Sequence, residues 1–249
     1  MKRFFLHGFT ILFAVAVFFG LLPHSLSALT IEQGRIRLVL HEDTGTFSLY
    51  YLEDLKKDRY ESLLFERDPR TSSLGLLVDN KIITLGPTSR FEQTVDRRVD
   101  GARFIWISDE LRITETFRFV KSRSNGLVDG VEIEVQVRND GRSLKTVGVH
   151  MLFDTYLGEN GKSHFETSDG QKLNGETLFS SFMPAYWISP VDSGVYDGLL
   201  GMLSGSGITR PDRAVFANWK RLNEDLWNLE VRDNRNFNLP PYSINDSAV

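Results

Sequence analysis

The segment Val147-Gly148-Val149-His150-Met151-Leu152-Phe153-Asp154 holds the densest set of side chains that could do chemistry. On a strand, successive side chains alternate between faces, so His150 and Asp154 project from one face about 13 Å apart. At that span they cannot touch, but they can line one groove. Histidine exchanges protons near neutrality and a carboxylate can complement it, which makes the pair a candidate for acid–base catalysis. The plainer reading of His150 is a sheet-face imidazole with a backbone hydrogen bond. Downstream, the stretch from Asp154 to Asp169 also carries Glu159, Asn160 and Glu166 among glycines. Hard oxygen donors suit calcium, which takes about six to eight of them. Asp154, Glu159 and Asp169 are the candidate ligands, although their spacing is not that of an EF-hand and such residues are equally at home in solvated turns. Zinc held through His150 and His164 lacks an evident third ligand.

A third group is aromatic. Phe182, Tyr186, Trp187 and Tyr196 gather around Pro184 and Pro190, and Trp219 and Trp227 follow. Open aromatic faces stack on sugar rings or anchor protein partners, so Tyr186, Trp187, Tyr196 and Trp219 are the candidate ligand-binding residues. The competing reading is that they close a core. Other chemistries lack their parts. Gly201, Gly205 and Gly207 precede Thr209 without the Gly-Lys-Ser/Thr of a phosphate loop. No serine sits in a nucleophile elbow. Arg210 and Arg213 around Asp212 fit the pinning of a loop. Zero cysteines exclude disulfides, thiol catalysis and thiolate metal sites.

The elements that must position these residues read as strand after strand. Ile36, Leu38 and Leu40 alternate, and a strand over 46–52 follows the turn at Asp43-Thr44-Gly45. Strands over 74–78 and 81–85 flank Asp79-Asn80, a tight-hairpin signal, and strands over 90–99 and 103–108 flank Asp100-Gly101. In the strand over 111–120, Ile113, Phe117 and Phe119 share a face. From Val131 to Val137 the alternation is strict, with Glu132, Glu134 and Gln136 opposite the valines and Ile133. That pattern is a half-buried antiparallel strand. The run over 146–156 is more fully apolar and predicts a strand inside the sheet stack. A long polar, Gly-rich loop spans 158–175. A helix is predicted after Thr209-Arg210-Pro211, with Ala214, Val215, Trp219 and Leu222 roughly on one face, and strand resumes at Trp227, Leu229 and Val231. Ile244 to Val249 reads as a further strand, either paired into the sheet or free to complete a neighbour's. Strands recurring every 8 to 15 residues with turn chemistry between them predict an all-β, two-sheet antiparallel sandwich with at most one short helix.

The strand Val131–Val137, the turn Asn139-Asp140-Gly141 and a strand ending His150-x-x-Phe153-Asp154 resemble the middle of galactose-mutarotase-like proteins. That family carries a His-Pro-Tyr-Phe-Asn segment after such a strand. The opening strands around Gly45 are similar to its start. The resemblance spans about residues 30–160 and lies mostly in strand pattern. It implies a large two-sheet sandwich whose groove often binds sugars. Met151 and Leu152 replace the family's Pro and Tyr, and Asp154 replaces Asn. No histidine lies between His41 and His150, and Glu224 and Glu230 are the only late acids of the catalytic type. The resemblance therefore implies the fold and not the epimerase reaction.

The first 28 residues form a separate unit. Met1-Lys2-Arg3 is a basic start, Phe4 to Leu22 is free of charge, and Pro23 to Ala28 is a small-residue exit. This is the pattern of a secretory signal peptide cut after Ser27 or Ala28, the alternative being a retained anchor. Residues 29–249 then form a single domain with 27 basic and 33 acidic residues, a balance of −6. That balance argues against nucleic acid as a partner. With 41% hydrophobic residues and 18 Phe, the body can bury a core without disulfides, and it carries no second long apolar run to span a membrane. The leading expectation is an exported, periplasmic or extracellular, non-catalytic binding or assembly module of the bacterial cell envelope, with a glycan or an envelope protein as partner. The alternatives are a carbohydrate-active enzyme, epimerase- or hydrolase-like, using His150 and a carboxylate, and a structural component of a surface assembly.

Overall fold

The structure is a computed structural model that describes residues 28–86, 90–121, 126–159, 163–191, 198–233, 235–239 and 244–249. The leader before Ala28 and the candidate Tyr196 lie outside the described residues. Strands β1 (Ala28–Gln33), β2 (Ile36–His41), β3 (Thr46–Asp54) and β4 (Arg59–Ser62) form an antiparallel meander. Next, β5 (Ser73–Val78) and β6 (Lys81–Thr84) make the expected hairpin. Asp79 and Asn80 at its tip have φ of 48° and 65°, the left-handed pair that a two-residue turn requires and that short polar side chains tolerate. A second meander follows, with β7 (Glu92–Arg98), β8 (Gly101–Ile107), β9 (Leu111–Lys121) and β10 (Val128–Asn139). The chain then returns, and β11 (Val147–Leu152) pairs with β5 on the side away from β6. A fourth sheet holds β12 (Phe165–Thr167), β13 (Lys172–Leu173), β15 (Tyr186–Pro190) and β16 (Gly198–Met202). A fifth joins β14 (Thr177–Phe179), β17 (Ala214–Asn218) and β20 (Ser247–Ala248), while β18 (Asn238–Leu239) pairs with β19 (Ile244–Asn245).

The five small sheets stand in a ring as a five-bladed β-propeller. This corrects the expected two-sheet sandwich, and with it the architecture that the mutarotase resemblance implied. The alternation of β10 was read correctly: Val131, Ile133, Val135 and Val137 pack on the core while Glu132 and Glu134 bond Arg118 on the outer face. But period-2 alternation reports only that one face of a sheet is covered. Short strands with frequent turns serve sandwiches and propeller blades alike. The decisive pairings, β11 back to β5 and β20 to β17, are non-local and leave no mark in a local pattern.

Three apolar clusters fill the ring. The largest joins the first three blades through Leu38, Leu76, Phe104, Trp106 and Phe117. A second, built on Phe165, Trp187, Phe216 and Phe237, fills the fourth and fifth, and Phe153 packs against both. The third unites Leu152, Ala217, Leu222 and Ala248.

The C-terminal third departs from expectation in detail. Ala214 to Asn218 is strand, and the short helix α1 (Trp219–Glu224) starts only after Asn218, whose side chain caps it at the Lys220 amide (3.1 Å). No strand forms over 227–231, and the stretch expected as a bare loop over 158–175 contains β12 and β13. A buried ion-pair hub takes the place of regular structure there. Glu176, fully covered, accepts Arg221 Nη1 at 2.9 Å, Arg235 Nη2 at 2.6 Å and the Arg232 amide at 3.1 Å. Arg221 also donates to the Asn238 carbonyl (2.7 Å). Among the described residues, no helix is long and apolar enough to cross a membrane.

Candidate functional site

The face of β11 that carries Gly148, His150 and Leu152 is roofed by the C-terminal segment. The six-membered ring of Trp227 lies on Gly148, where a Cβ would meet it at 3.0 Å. The His150 ring stands 5.6 Å from that of Trp227. Burial beneath this roof holds the imidazole below its usual pKa, so it is neutral at pH 7, and no carboxylate contributes to the shift. Asp154 continues past the strand end and is 3% exposed. Its amide donates to Ser72 Oγ (3.0 Å), its carbonyl accepts the Phe65 amide (3.0 Å), and it bridges Ala248. Burial first, then the nearby Asp246 and Asp68 carboxylates, push its carboxyl up to about 7 against the opposing hydrogen bond from Thr71. His150 and Asp154 are thus separate packing elements, each with its own surroundings.

The metal candidates divide likewise. Glu159 does join Asp154: its Oε1 accepts the Ser247 amide (2.9 Å), and burial with Asp246 and Asp154 nearby lifts it to about 7. Burial also raises Asp246. Asp169 instead caps a turn, taking the Thr167 hydroxyl. Among the described residues, no three His, Asp or Glu side chains are placed to hold a metal ion. His164 packs on Phe237 (4.7 Å between rings), away from the His150 setting, and burial lowers its pKa. The carboxyls of Asp154, Glu159 and Asp246 lie along a seam where β20 meets residues 153–159, held by the Glu159–Ser247 bond and by Val249 and Phe153 exchanging backbone bonds of 3.1 and 2.7 Å. Of the two alternatives for the terminal strand, the structure shows the paired one: β20 joins β17.

The aromatic platform is not open at its centre. Trp187 is 3% exposed, wedged against Phe165 at 5.7 Å and Phe216 at 6.4 Å. Its indole lies so close to Gly201 that a Cβ there would sit 2.3 Å away. Trp219 is half-buried and donates its indole N–H to the Thr71 carbonyl (2.8 Å). Tyr186, on the other face of β15 from Trp187, is half-buried.

Two features escaped the sequence reading. Glu115 lies on the core face of β9 between Ile113 and Phe117, 1% exposed, with Oε1 lacking any hydrogen-bond partner. Desolvation alone pushes its carboxyl up to about 8. The signal was present, since the alternation that put Ile113 and Phe117 inside puts Glu115 inside too. The second is a cleft of about 800 Å³ between the second and third blades. Its walls are the adjacent sheet edges, β6 on one side and the start of β7 with the β8–β9 turn on the other. Phe91, Ile83 and Ile107 line its apolar part. On its rim, Lys145 Nζ is shared between Asp79 (3.3 Å) and Glu110 (3.0 Å), while Arg90, Glu92 and Asp109 are exposed, the two carboxylates with no ion pair among the described residues. The cleft thus sets an apolar patch beside charged residues of both signs. Finding it needs the two edges in space, which sequence does not supply.

The chain matches no protein-family model, no curated protein and no solved structure.

Proposed function

We propose that the protein is an exported, non-catalytic binding module of the cell envelope whose partner is another protein. The observation that carries this reading is the open cleft between β6 and β7, with its apolar floor and a rim on which carboxylates outnumber cations. Two of the aromatic side chains that would have favoured a glycan are engaged elsewhere, Trp187 in the core and Trp219 on Thr71. Export rests on the basic, apolar, small-residue order of residues 1–28. The test is a crosslinking pull-down from the envelope fraction of cells making the full chain, with N-terminal sequencing of the recovered bait. The reading expects a mature start at Ala28 or Leu29 and a specific protein partner. A bait found in the cytosol with its leader, or one that captures nothing above a mock control, refutes it.

One observation favours an acid–base enzyme instead. Asp154 and Glu159 both titrate near neutrality, where a general acid or base is most effective. Against it, Asp154 is closed off from solvent by Ala248 and Thr71. Hydrolysis of aryl glycosides by the wild type, abolished in Asp154→Asn, would restore that reading.

A further inference from the structure

We infer that the cleft binds an extended, basic segment of the partner protein, which adds as a strand to the free edge of β6. This rests on the binding reading proposed above and specifies how and what the site binds. Three observations carry it. First, among the described residues β6 pairs with β5 alone. Val78 and Lys81 close the two-residue hairpin, so the N–H and C=O of Lys81 and Ile83 turn toward β5 while those of Ile82 and Thr84 turn outward. Three of the four β6 residues are exposed, including Ile82 at 51%. An unpaired edge of this kind is a template for another strand.

Second, the space beside that edge is the cleft itself. Ile83, Phe91 and Ile107 offer an apolar floor on which every second side chain of an extended peptide can rest. Third, the lining carries an acidic excess: Asp79, Glu92, Asp109 and Glu110 stand against Lys81, Arg90 and Lys145. Lys145 is shared between Asp79 and Glu110, and Lys81 lies near Asp79. On the opposite wall the exposed Glu92 and Asp109 outnumber Arg90. A lysine or arginine alternating with apolar residues suits both the excess and the apolar floor, whereas an acidic peptide adds to the excess. Because Glu92 and Asp109 are exposed, they can be reversed without disturbing the core.

The test uses the full chain and three fluorescein-labelled ten-residue peptides: alternating Val-Lys, alternating Val-Glu, and the Val-Lys peptide N-methylated at every second residue. Fluorescence anisotropy is expected to show the Val-Lys peptide binding about tenfold or more tightly than the Val-Glu peptide. The N-methylated peptide should lose binding, because it cannot donate to the strand edge. The double variant Glu92→Lys/Asp109→Lys should melt like the wild type and lose the preference for lysine. Equal binding of the two charge types, binding that survives N-methylation, or an unchanged preference in the double variant overturns the inference. The envelope pull-down separates this failure from that of the broader reading. A partner captured equally by wild type and double variant leaves the binding function standing and removes the cleft from it, whereas capture by neither removes the function.

Discussion

Glu115 makes the stability of this protein fall as pH rises, and its size can be worked out. The carboxyl sits on the core face of β9, opposite Phe104 on β8 and Val135 on β10, with one oxygen unpartnered. In the folded chain it ionises at about 8, against 4.5 when solvated. Between those values the unfolded state has released the proton and the folded state has not. Folding stability contributed at low pH is therefore lost progressively as pH rises through this window, by about 1.4 kcal/mol per pH unit. Across the whole window the loss is on the order of 5 kcal/mol, comparable with the entire stability of a marginal domain. The assay is urea unfolding at half-unit steps from pH 4.5 to 9 for wild type, Glu115→Leu and Glu115→Gln. Other buried groups titrate in the same range, among them Asp154 and Glu159, but they are common to all three chains. The stability difference between Glu115→Leu and wild type should be smallest near pH 4.5, grow with pH and level off above about 8. Glu115→Gln should follow the same slope with a constant offset for its buried amide. Parallel curves for wild type and Glu115→Leu would refute the reasoning, since they would mean that the carboxyl ionises as freely folded as unfolded.

Three further outcomes are expected. Glu176→Ala strands two guanidinium groups and the Arg232 amide around a covered site, and should cost about 3–5 kcal/mol in chemical denaturation. Gly201→Ala forces a methyl into the Trp187 indole, so it should lose about 1–3 kcal/mol and shift tryptophan emission to the red. Asp154→Asn removes a carboxyl whose folded pKa of about 7 lies above its solvated value, so its penalty grows as pH rises toward 7. The variant should gain about 4 kcal/mol on wild type at pH 8 relative to its standing at pH 4, read from thermal melts at both pH values.

Local features of the fold were legible and long-range ones were not. The Asp79-Asn80 hairpin and the Val131–Val137 alternation announce themselves because turn sterics and half-burial act on neighbouring residues. The helix was misplaced because Ala214, Val215 and Trp219 fit a helical face as well as a strand. Pairing of 214–218 with β14 and β20, invisible locally, decides for strand. Of the candidate site, Asp154 and Glu159 share a loop in the sequence and lie near each other in the structure, but their burial depends on β20, which no local pattern reveals. Trp187 was legible as an aromatic anchor, yet only the register that sets Gly201 opposite it reveals that its face is covered.

The seam between residues 153–159 and β20 also bears on the order in which the ring can assemble. The first and third blades are meanders whose partners lie a turn apart. The Ser247 amide, by contrast, finds Glu159 across 88 residues of chain. Closing so long a loop costs entropy before any contact repays it. Until residues 246–249 arrive, the backbone of Phe153 lacks both of its bonds and the apolar cluster of Leu152, Ala217 and Leu222 lacks Ala248. Topology thus makes two blades cheap to form early and leaves the ring's completion to contacts made across long stretches of chain.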